Sequence, residues 1–187
     1  RGVRPAAGRT GSGSGIGAAA GAALTGMRPI AELMFVDFAG VCLDQIVNQI
    51  AKFRYMFGGH AKTPLVIRAT YGAGTRSAAQ HTQAFYPIFT HIPGLKVVIP
   101  SNPYDAKGLL IQAIRDDDPV IFLENEILYG QSFDVPKMDD FVLPIGKARY
   151  GLMLREDGLV FDDGTTSRVG PDRFFVTTTT AQAGPVI

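Results

Sequence analysis

This sequence predicts a doubly wound α/β fold with a mainly parallel sheet, and three observations support that. Short apolar runs alternate with stretches of helical spacing from residue 29 to 125. The runs are continuously apolar rather than alternating, as in strands buried on both faces. Glycine or proline punctuates the junctions: Gly26, Pro29, Gly58-Gly59 and Pro93-Gly94.

The centre of the pattern is Pro29–Met56, PIAELMFVDFAGVCLDQIVNQIAKFRYM. Ile30–Val36 is short enough for a buried strand. After Asp37 the residues Leu43, Ile46, Val47, Ile50 and Phe53 fall on one helical face. A buried strand feeding an amphipathic helix is half of a βαβ unit, and such units place working residues where the strand ends. That corner carries Met34, Phe35, Asp37, Phe38 and Asp44.

Residues 1–15 (RGVRPAAGRTGSGSG) have no periodicity and read as a flexible arm. Gly13-x-Gly15-x-x-Ala18 fits a relaxed dinucleotide fingerprint, but RPAAGRT does not read as the strand that must precede one. Ile16–Thr25 reads as a helix whose Gly17, Gly21 and alanines admit close backbone approach, with Gly26 as its stop. Further on, Thr63–Thr70, Leu95–Ile99 and Val120–Leu123 read as strands. Tyr71–Ser77 reads as a glycine-rich loop, and Ala78–His91 and Asp105–Arg115 as helices. The α/β domain is thus placed at 16–130. Residues 131–149 read as a linker or extended arm leaving it, and 150–187 as a short β-rich appendage, a hairpin or meander.

With 187 residues, 46% hydrophobic and 19% charged, the chain has material for one ordinary domain and its core. A net charge of +1 gives no reason to expect nucleic acid or an acidic membrane surface as a partner. No apolar run approaches the ~20 residues of a membrane span. The single Cys42 excludes an intramolecular disulfide framework and fits a reducing compartment. The basic, small N-terminal residues suggest a transit peptide but lack the apolar stretch of a secretory signal. With no initiator Met, the expectation is an incomplete, soluble, intracellular α/β protein.

His81, in SAAQHTQ, follows the glycine-rich loop at the carboxyl edge of the sheet, where ligands collect in open α/β folds. Its polar neighbours Gln80, Thr82 and Gln83 disfavour a buried structural histidine and leave a substrate-facing role open. His60 and His91 stand beside glycine and proline breakers and read as surface residues. Arg68 and Arg76 flank the loop and are placed to meet an anion or solvent. Met34 and Phe38 lie around the strand–helix turn, either as core or, with Asp37 near solvent, as a binding corner. Asp116-Asp117-Asp118 ends a helix, where acid opposes the macrodipole and must be offset by a bound cation or by solvation. Glu124 and Glu126 bracket a strand end as a carboxylate pair or a solvated edge. No His, Cys or Asp grouping has zinc-ligand spacing.

One family unites these residues. GAAAGAALTGMRPIAELMFVDFAGVCLDQIVNQIAKFRYMFGG, AAQHTQ, HIPGLKVVIPSNPYDAKGLL, AIRDDDPVIFLENEILYGQSF and VPKMDDFVLPIGKAR closely resemble the beta subunit of the thiamine-diphosphate-dependent first component of 2-oxo-acid dehydrogenase complexes. The resemblance spans about residues 16–149, with the pyruvate branch nearest and the acetoin and branched-chain branches behind. It implies a transketolase-like pyrimidine-binding domain and an oxidoreductase that decarboxylates a 2-oxo acid with thiamine diphosphate. It further implies an alpha subunit that holds the diphosphate and its magnesium, a second beta subunit, and a lipoyl acyltransferase core. Location would be the bacterial cytoplasm or the mitochondrial matrix. At matching positions, Phe38 would stack on the aminopyrimidine, Met34 would line the same pocket, and His81 would face the substrate channel. Leu65, Ala113, Asp116 and Asp118 would correspond to a monovalent-cation site, such as one for K+.

Three departures accompany the resemblance. Ser12 stands where the family carries the glutamate that activates the cofactor, and no acid occurs before Glu32. A serine hydroxyl does not supply a carboxyl proton near neutral pH, and the loss is worth about 10²–10⁴-fold in rate. The strand and helix that open the family's domain are missing, which truncates the sheet at its N-terminal side. Finally, YGLMLREDGLVFDDGTTSRVGPDRFFVTTTTAQAGPV resembles the folate-binding, aminomethyltransferase-like domain of the sarcosine oxidase alpha subunit, with Asp162-Asp163 as its acidic pair. The expectation is a pyruvate-dehydrogenase-type beta-subunit fragment joined to a folate-domain fragment, impaired or inactive as a single chain. The alternatives are a non-catalytic subunit-pairing module and a folate-dependent protein.

Overall fold

The computed structural model describes residues 7–9, 13–132, 134–146, 149–154, 160–170 and 173–178. They form two compact units that divide after Leu143.

The first unit is built on a five-stranded, wholly parallel sheet. Its strands are β1 (Ala7–Arg9), β2 (Ile30–Phe35), β3 (Val66–Tyr71), β4 (Lys96–Val98) and β5 (Val120–Asn125), in the order β1-β2-β3-β5-β4. Leu65, Val66, Ile67 and the four residues Val120–Leu123 are at most 1% exposed. Consecutive burial of that kind is why these strands lack a polar alternation. The core continues through Ala31, Leu33, Val36, Ile46, Ile50 and Phe89.

Helix α1 (Gly13–Leu24) buries Ile16, Ala20 and Ala23, one stripe at helical spacing, beside the segment that follows β2. An added Cβ at Gly17 would lie 3.4 Å from Gln45 Oε1, whereas Gly21 has no neighbour within 4 Å. The Gly17 contact is an ordinary one with a side chain, so neither Gly17 nor Gly21 is required by a close backbone approach. Gly13 and Gly15 lie inside α1, not in a turn before it, so they do not form a phosphate loop.

After β2 the chain is helical as predicted, but not uniformly. It runs as a 3-10 helix over Val36–Cys42, a π-helix over Gln45–Ile50 and the short α2 (Phe53–Met56). Cys42, Ile46 and Ile50 are all buried and stand four residues apart, a wider stride than 3.6. The π turn accommodates it, and the Ala51 N–H reaches the Ile46 carbonyl five residues back at 3.0 Å. Cys42 is buried and donates weakly to the Ala39 carbonyl, and burial pushes its thiol pKa up. Helix α4 (Pro103–Arg115) opens on Asn102, whose side chain accepts the Asp105 N–H at 2.8 Å, with proline next.

Three expectations are corrected. Ala7–Arg9, inside the predicted flexible arm, pairs in parallel with Ile30–Glu32 as an edge strand. Edge pairing uses backbone groups alone, so Ala-Gly-Arg carries no side-chain signature of it. The predicted helix over Ala78–His91 is helical only at α3 (Tyr86–Thr90), and residues 72–85 form an irregular loop. Ala78 has φ +64°, outside the right-handed helical region, and SAAQHTQ has no apolar face to bury. Up to Leu143 the arm after residue 130 does not leave the domain but lies along α4. Tyr104 and Phe141 rings meet at 4.6 Å, and the Leu143 N–H donates to the Gly108 carbonyl at 3.2 Å. Gly108 permits this, since a Cβ there would sit 2.7 Å from Leu143 Cγ.

The second unit is a three-stranded antiparallel sheet of β6 (Arg149–Leu154), β7 (Val160–Gly170) and β8 (Arg173–Thr178), with β7 central. Of the hairpin and the meander that the sequence leaves open, it is the meander. Asp162 and Asp163 hold successive register positions on β7, opposite Met153 and Leu152.

Candidate functional site

Because every strand of the main sheet is parallel, β2, β3 and β5 end on the same edge, and there the candidate residues meet. Phe35 is the last residue of β2, and the 3-10 turn that follows brings Phe38 back to it with ring centroids 5.8 Å apart. His81 arrives from the 72–85 loop, 4.8 Å from Phe35 and 5.3 Å from Phe38, edge-on to both. All three rings are half-buried. The result is a mutually edge-to-face aromatic cluster, a packing the ring quadrupoles favour. Met34 is 46% exposed on the preceding strand position, and its carbonyl accepts the Thr70 hydroxyl at 2.7 Å.

Asp37 sits between the two phenylalanines. Its Oδ1 accepts the Gln83 N–H at 3.2 Å and the Gln83 side-chain amide at 2.9 Å, while its Oδ2 is buried without a partner. The predicted Glu124/Glu126 pair is split between two tasks. Glu124 takes a bidentate contact from Arg68 at 2.8 and 2.9 Å, plus the Tyr129 hydroxyl at 2.5 Å. Burial and this carboxylate push the Tyr129 phenol pKa well up. Glu126 is buried and accepts the Thr75 N–H at 3.0 Å and the Thr75 hydroxyl at 2.5 Å. Arg68 therefore belongs to an ion pair rather than to the loop, and it lines a cavity of about 400 Å³ with Phe122, Glu124 and Tyr129. Asp44 is exposed and accepts from the Asn48 side-chain amide at 2.7 Å. Arg76, His60 and His91 are exposed. Ser12 lies outside the described residues.

The acidic end of α4 is offset by basic side chains. Arg28 donates to the Ile114 and Asp116 carbonyls at 3.0 and 2.7 Å, capping the helix where its dipole is negative. It also pairs with Asp117 at 2.6 Å, which Lys62 reaches at 2.8 Å. Lys96 holds both Asp116 oxygens, and Arg54 reaches Asp118 at 2.5 Å. Leu65 and Ala113, the other two residues of the implied cation site, offer carbonyls that already accept the Val120 and Asp116 N–H groups. The charge argument for a bound cation is met by these side chains. Among the described residues no group of three or more His, Cys, Asp or Glu side chains could hold a metal ion.

Lys62 and Arg28 hold the Asp117 carboxyl below its usual 3.8. A depressed carboxylate contributes stability that is present above the unfolded value and is lost as pH falls through the folded one. Asp117→Asn is therefore expected to flatten the loss of stability below about pH 4. At neutral pH it should cost only slightly, and less in high salt, because Asp117 is partly exposed. Thermal melts from pH 2 to 7 check this, and parallel acid limbs for the two proteins would contradict it.

The corner thus presents the half-buried rings of Phe38 and His81 side by side. No helix among the described residues is long and apolar enough to cross a membrane.

Residues 14–131 match the family described as transketolase, pyrimidine binding domain, and residues 137–187 match the GCVT N-terminal domain. The beta subunit of acetoin:2,6-dichlorophenolindophenol oxidoreductase from Cupriavidus necator is 68% identical over 133 residues, 71% of this chain and 39% of that protein. Its Bacillus subtilis counterpart is 62% identical over the same shares. The pyruvate dehydrogenase E1 component subunit beta of Rhizobium meliloti is also 62% identical, over 71% of this chain and 29% of its own length. The chain thus spans well under half the length of these relatives, and the identities do not set the pyruvate branch ahead of the acetoin one. Among solved structures, a split-gene transketolase described as an inactive beta4 tetramer aligns with a TM-score of 0.55 at 23% identity, over 73% of this chain and 40% of that one, a likeness of fold. With the parallel sheet, the aromatic corner at its carboxyl edge and the match over residues 14–131 together, the chain belongs to the transketolase pyrimidine-binding-domain family.

Proposed function

We propose that this chain carries the pyrimidine half of a thiamine diphosphate site, as its resemblance to the beta subunits of thiamine-diphosphate-dependent 2-oxo-acid dehydrogenases implies. The observation that supports it is the Phe35–Phe38–His81 cluster, which lies at the sheet edge inside the matched segment. When bound, thiamine diphosphate supplies the carbanion-stabilising carbon needed to decarboxylate a 2-oxo acid or to cleave acetoin. This chain's part is to bind and orient: Phe38 stacks on the aminopyrimidine, Met34 lines the pocket, and His81 faces the substrate. The diphosphate and magnesium are assigned to an alpha-type subunit, with a second beta-type chain and a lipoyl acyltransferase as further partners. The Leu65, Ala113, Asp116 and Asp118 set keeps a K+ role only as this resemblance implies it. Bacterial cytoplasm or mitochondrial matrix would suit relatives from Rhizobium meliloti and Caenorhabditis elegans mitochondria.

A specific observation favours a second reading, in which the corner binds without turning over. Ser12 occupies the position of the activating acid, so a chain that pairs and binds would still be catalytically impaired. Residues 137–187 add a GCVT-type segment, and a folate ligand there is the third possibility.

Calorimetric titration with thiamine diphosphate and Mg²⁺, with and without a pyruvate- or acetoin-type alpha subunit, tests the proposal. Saturable binding that requires the partner is expected. Absence of binding in both arms would overturn the reading.

A further inference from the structure

We infer that Asp37 and Glu126 are positioning residues, two carboxylates that pin the 72–85 loop at separate points and so hold the His81 ring against Phe35 and Phe38. The loop has no regular element of its own, and its base is closed by the Gly72 N–H donating to the Gln83 carbonyl at 3.1 Å. Within it Arg76 and Ala78 have φ of +54° and +64°, a left-handed region that crowds the Cβ of any residue but glycine. Backbone of this kind persists only where the surroundings over-determine it.

The two acids supply that constraint from outside the loop. Glu126 is 6% exposed at the start of the 3-10 helix Glu126–Gly130 and binds Thr75 through both the backbone N–H and the hydroxyl. The loop rests directly on that helix, since a Cβ at Gly74 would lie 2.6 Å from Ile127 Cγ1. Asp37 takes the other end through its two bonds from Gln83, two residues after His81. Between the two, the carbonyl of Ala78 accepts the His81 N–H at 3.4 Å and the Thr82 hydroxyl at 2.8 Å. The strained residue thus forms the turn that carries the imidazole. Asp37 Oδ2 and Glu126 Oε1 are both buried without a partner. Bare buried oxygens are costly, so these acids suit the holding of a geometry better than a gain in stability.

What this implies for a cofactor rests on the function proposed above, whereas the clamp itself is testable in the free chain. The chain has three histidines, and His60 and His91 are exposed controls. Ring currents from Phe35 and Phe38 are expected to displace the His81 imidazole signals in an NMR spectrum of the full chain without ligand. Asp37→Ala should move them at least half-way to free-histidine positions while His60 and His91 stay in place. Gln83→Ala, which removes one of the two bonds, should move them less in the same direction. Asp37→Asn, which keeps an acceptor, should restore most of the displacement. Unmoved His81 signals in both alanine variants would overturn the inference, as would shifts shared by all three histidines. If Asp37→Ala does not fold, the exposed Gln83→Ala decides alone. Failure of thiamine diphosphate to bind leaves this readout unchanged, so the two ideas fail separately.

Discussion

Gly94→Ala is expected to destabilise the pyrimidine-domain unit by about 3 kcal/mol or more, since an added Cβ there meets backbone closer than at any other glycine whose surroundings are described. Two costs add at this residue. Its φ of +98° lies in the left-handed region, worth about 1–2 kcal/mol to any residue with a Cβ. A Cβ there would also lie 2.0 Å from the Ala51 carbonyl oxygen and 3.0 Å from its carbon. Neither atom belongs to a side chain that can rotate away. Ala51 ends the π turn, and Lys52 next to it donates to the Pro93 carbonyl at 3.3 Å, so the helix end and the β4 approach are joined here. Relief of the clash requires one to move from the other. Chemical denaturation of the full chain checks this. An unfolding free energy within about 0.5 kcal/mol of the parent would contradict it.

Phe38→Ala is expected to weaken thiamine diphosphate binding in the presence of an alpha-type subunit by about 5–150-fold. That range follows from the ~1–3 kcal/mol that stacking of a base on an aromatic side chain is worth. Phe38 is half-buried and its ring contacts are with Phe35 and His81, so most of the core is untouched and the chain should still fold. Tyr55→Ala, at a residue 88% exposed and remote from the corner, should leave affinity unchanged. The discriminating result is calorimetric: a dissociation constant for Phe38→Ala within two-fold of the parent would remove the ring from the site.

How much was legible in the sequence follows from which interactions write themselves into it. The central strands showed as runs of branched apolar residues because burial on both faces demands them, as at Leu65–Ile67 and Val120–Leu123. The helix after β2 shows in Leu43, Ile46, Val47, Ile50 and Phe53, although their spacing does not reveal its π turn. β1 was missed because Ala7–Arg9 pairs by backbone alone. The loop at 72–85 was misread in part as helix, because the positive φ of Arg76 and Ala78 comes from tertiary contacts and not from glycine. Of the candidate site, Phe38 and His81 were named and the structure brings them together. Phe35 was placed at the same corner without a role. The tasks of Asp37, Glu126 and Arg28 stayed hidden because each depends on a partner distant in sequence: Gln83, Thr75 and the end of α4. A lone acid in sequence carries no mark of the loop it will hold.

The central claim is that the Phe35–Phe38–His81 corner receives the aminopyrimidine ring. Nuclear Overhauser contacts from the methyl group of that ring, measured in the complex of this chain with an alpha-type subunit, thiamine diphosphate and Mg²⁺, test it most directly. Contacts to the Phe38 ring and to His81 are the predicted result, lost in Phe38→Ala. Saturable binding in which the methyl group contacts only the alpha-type subunit would contradict it.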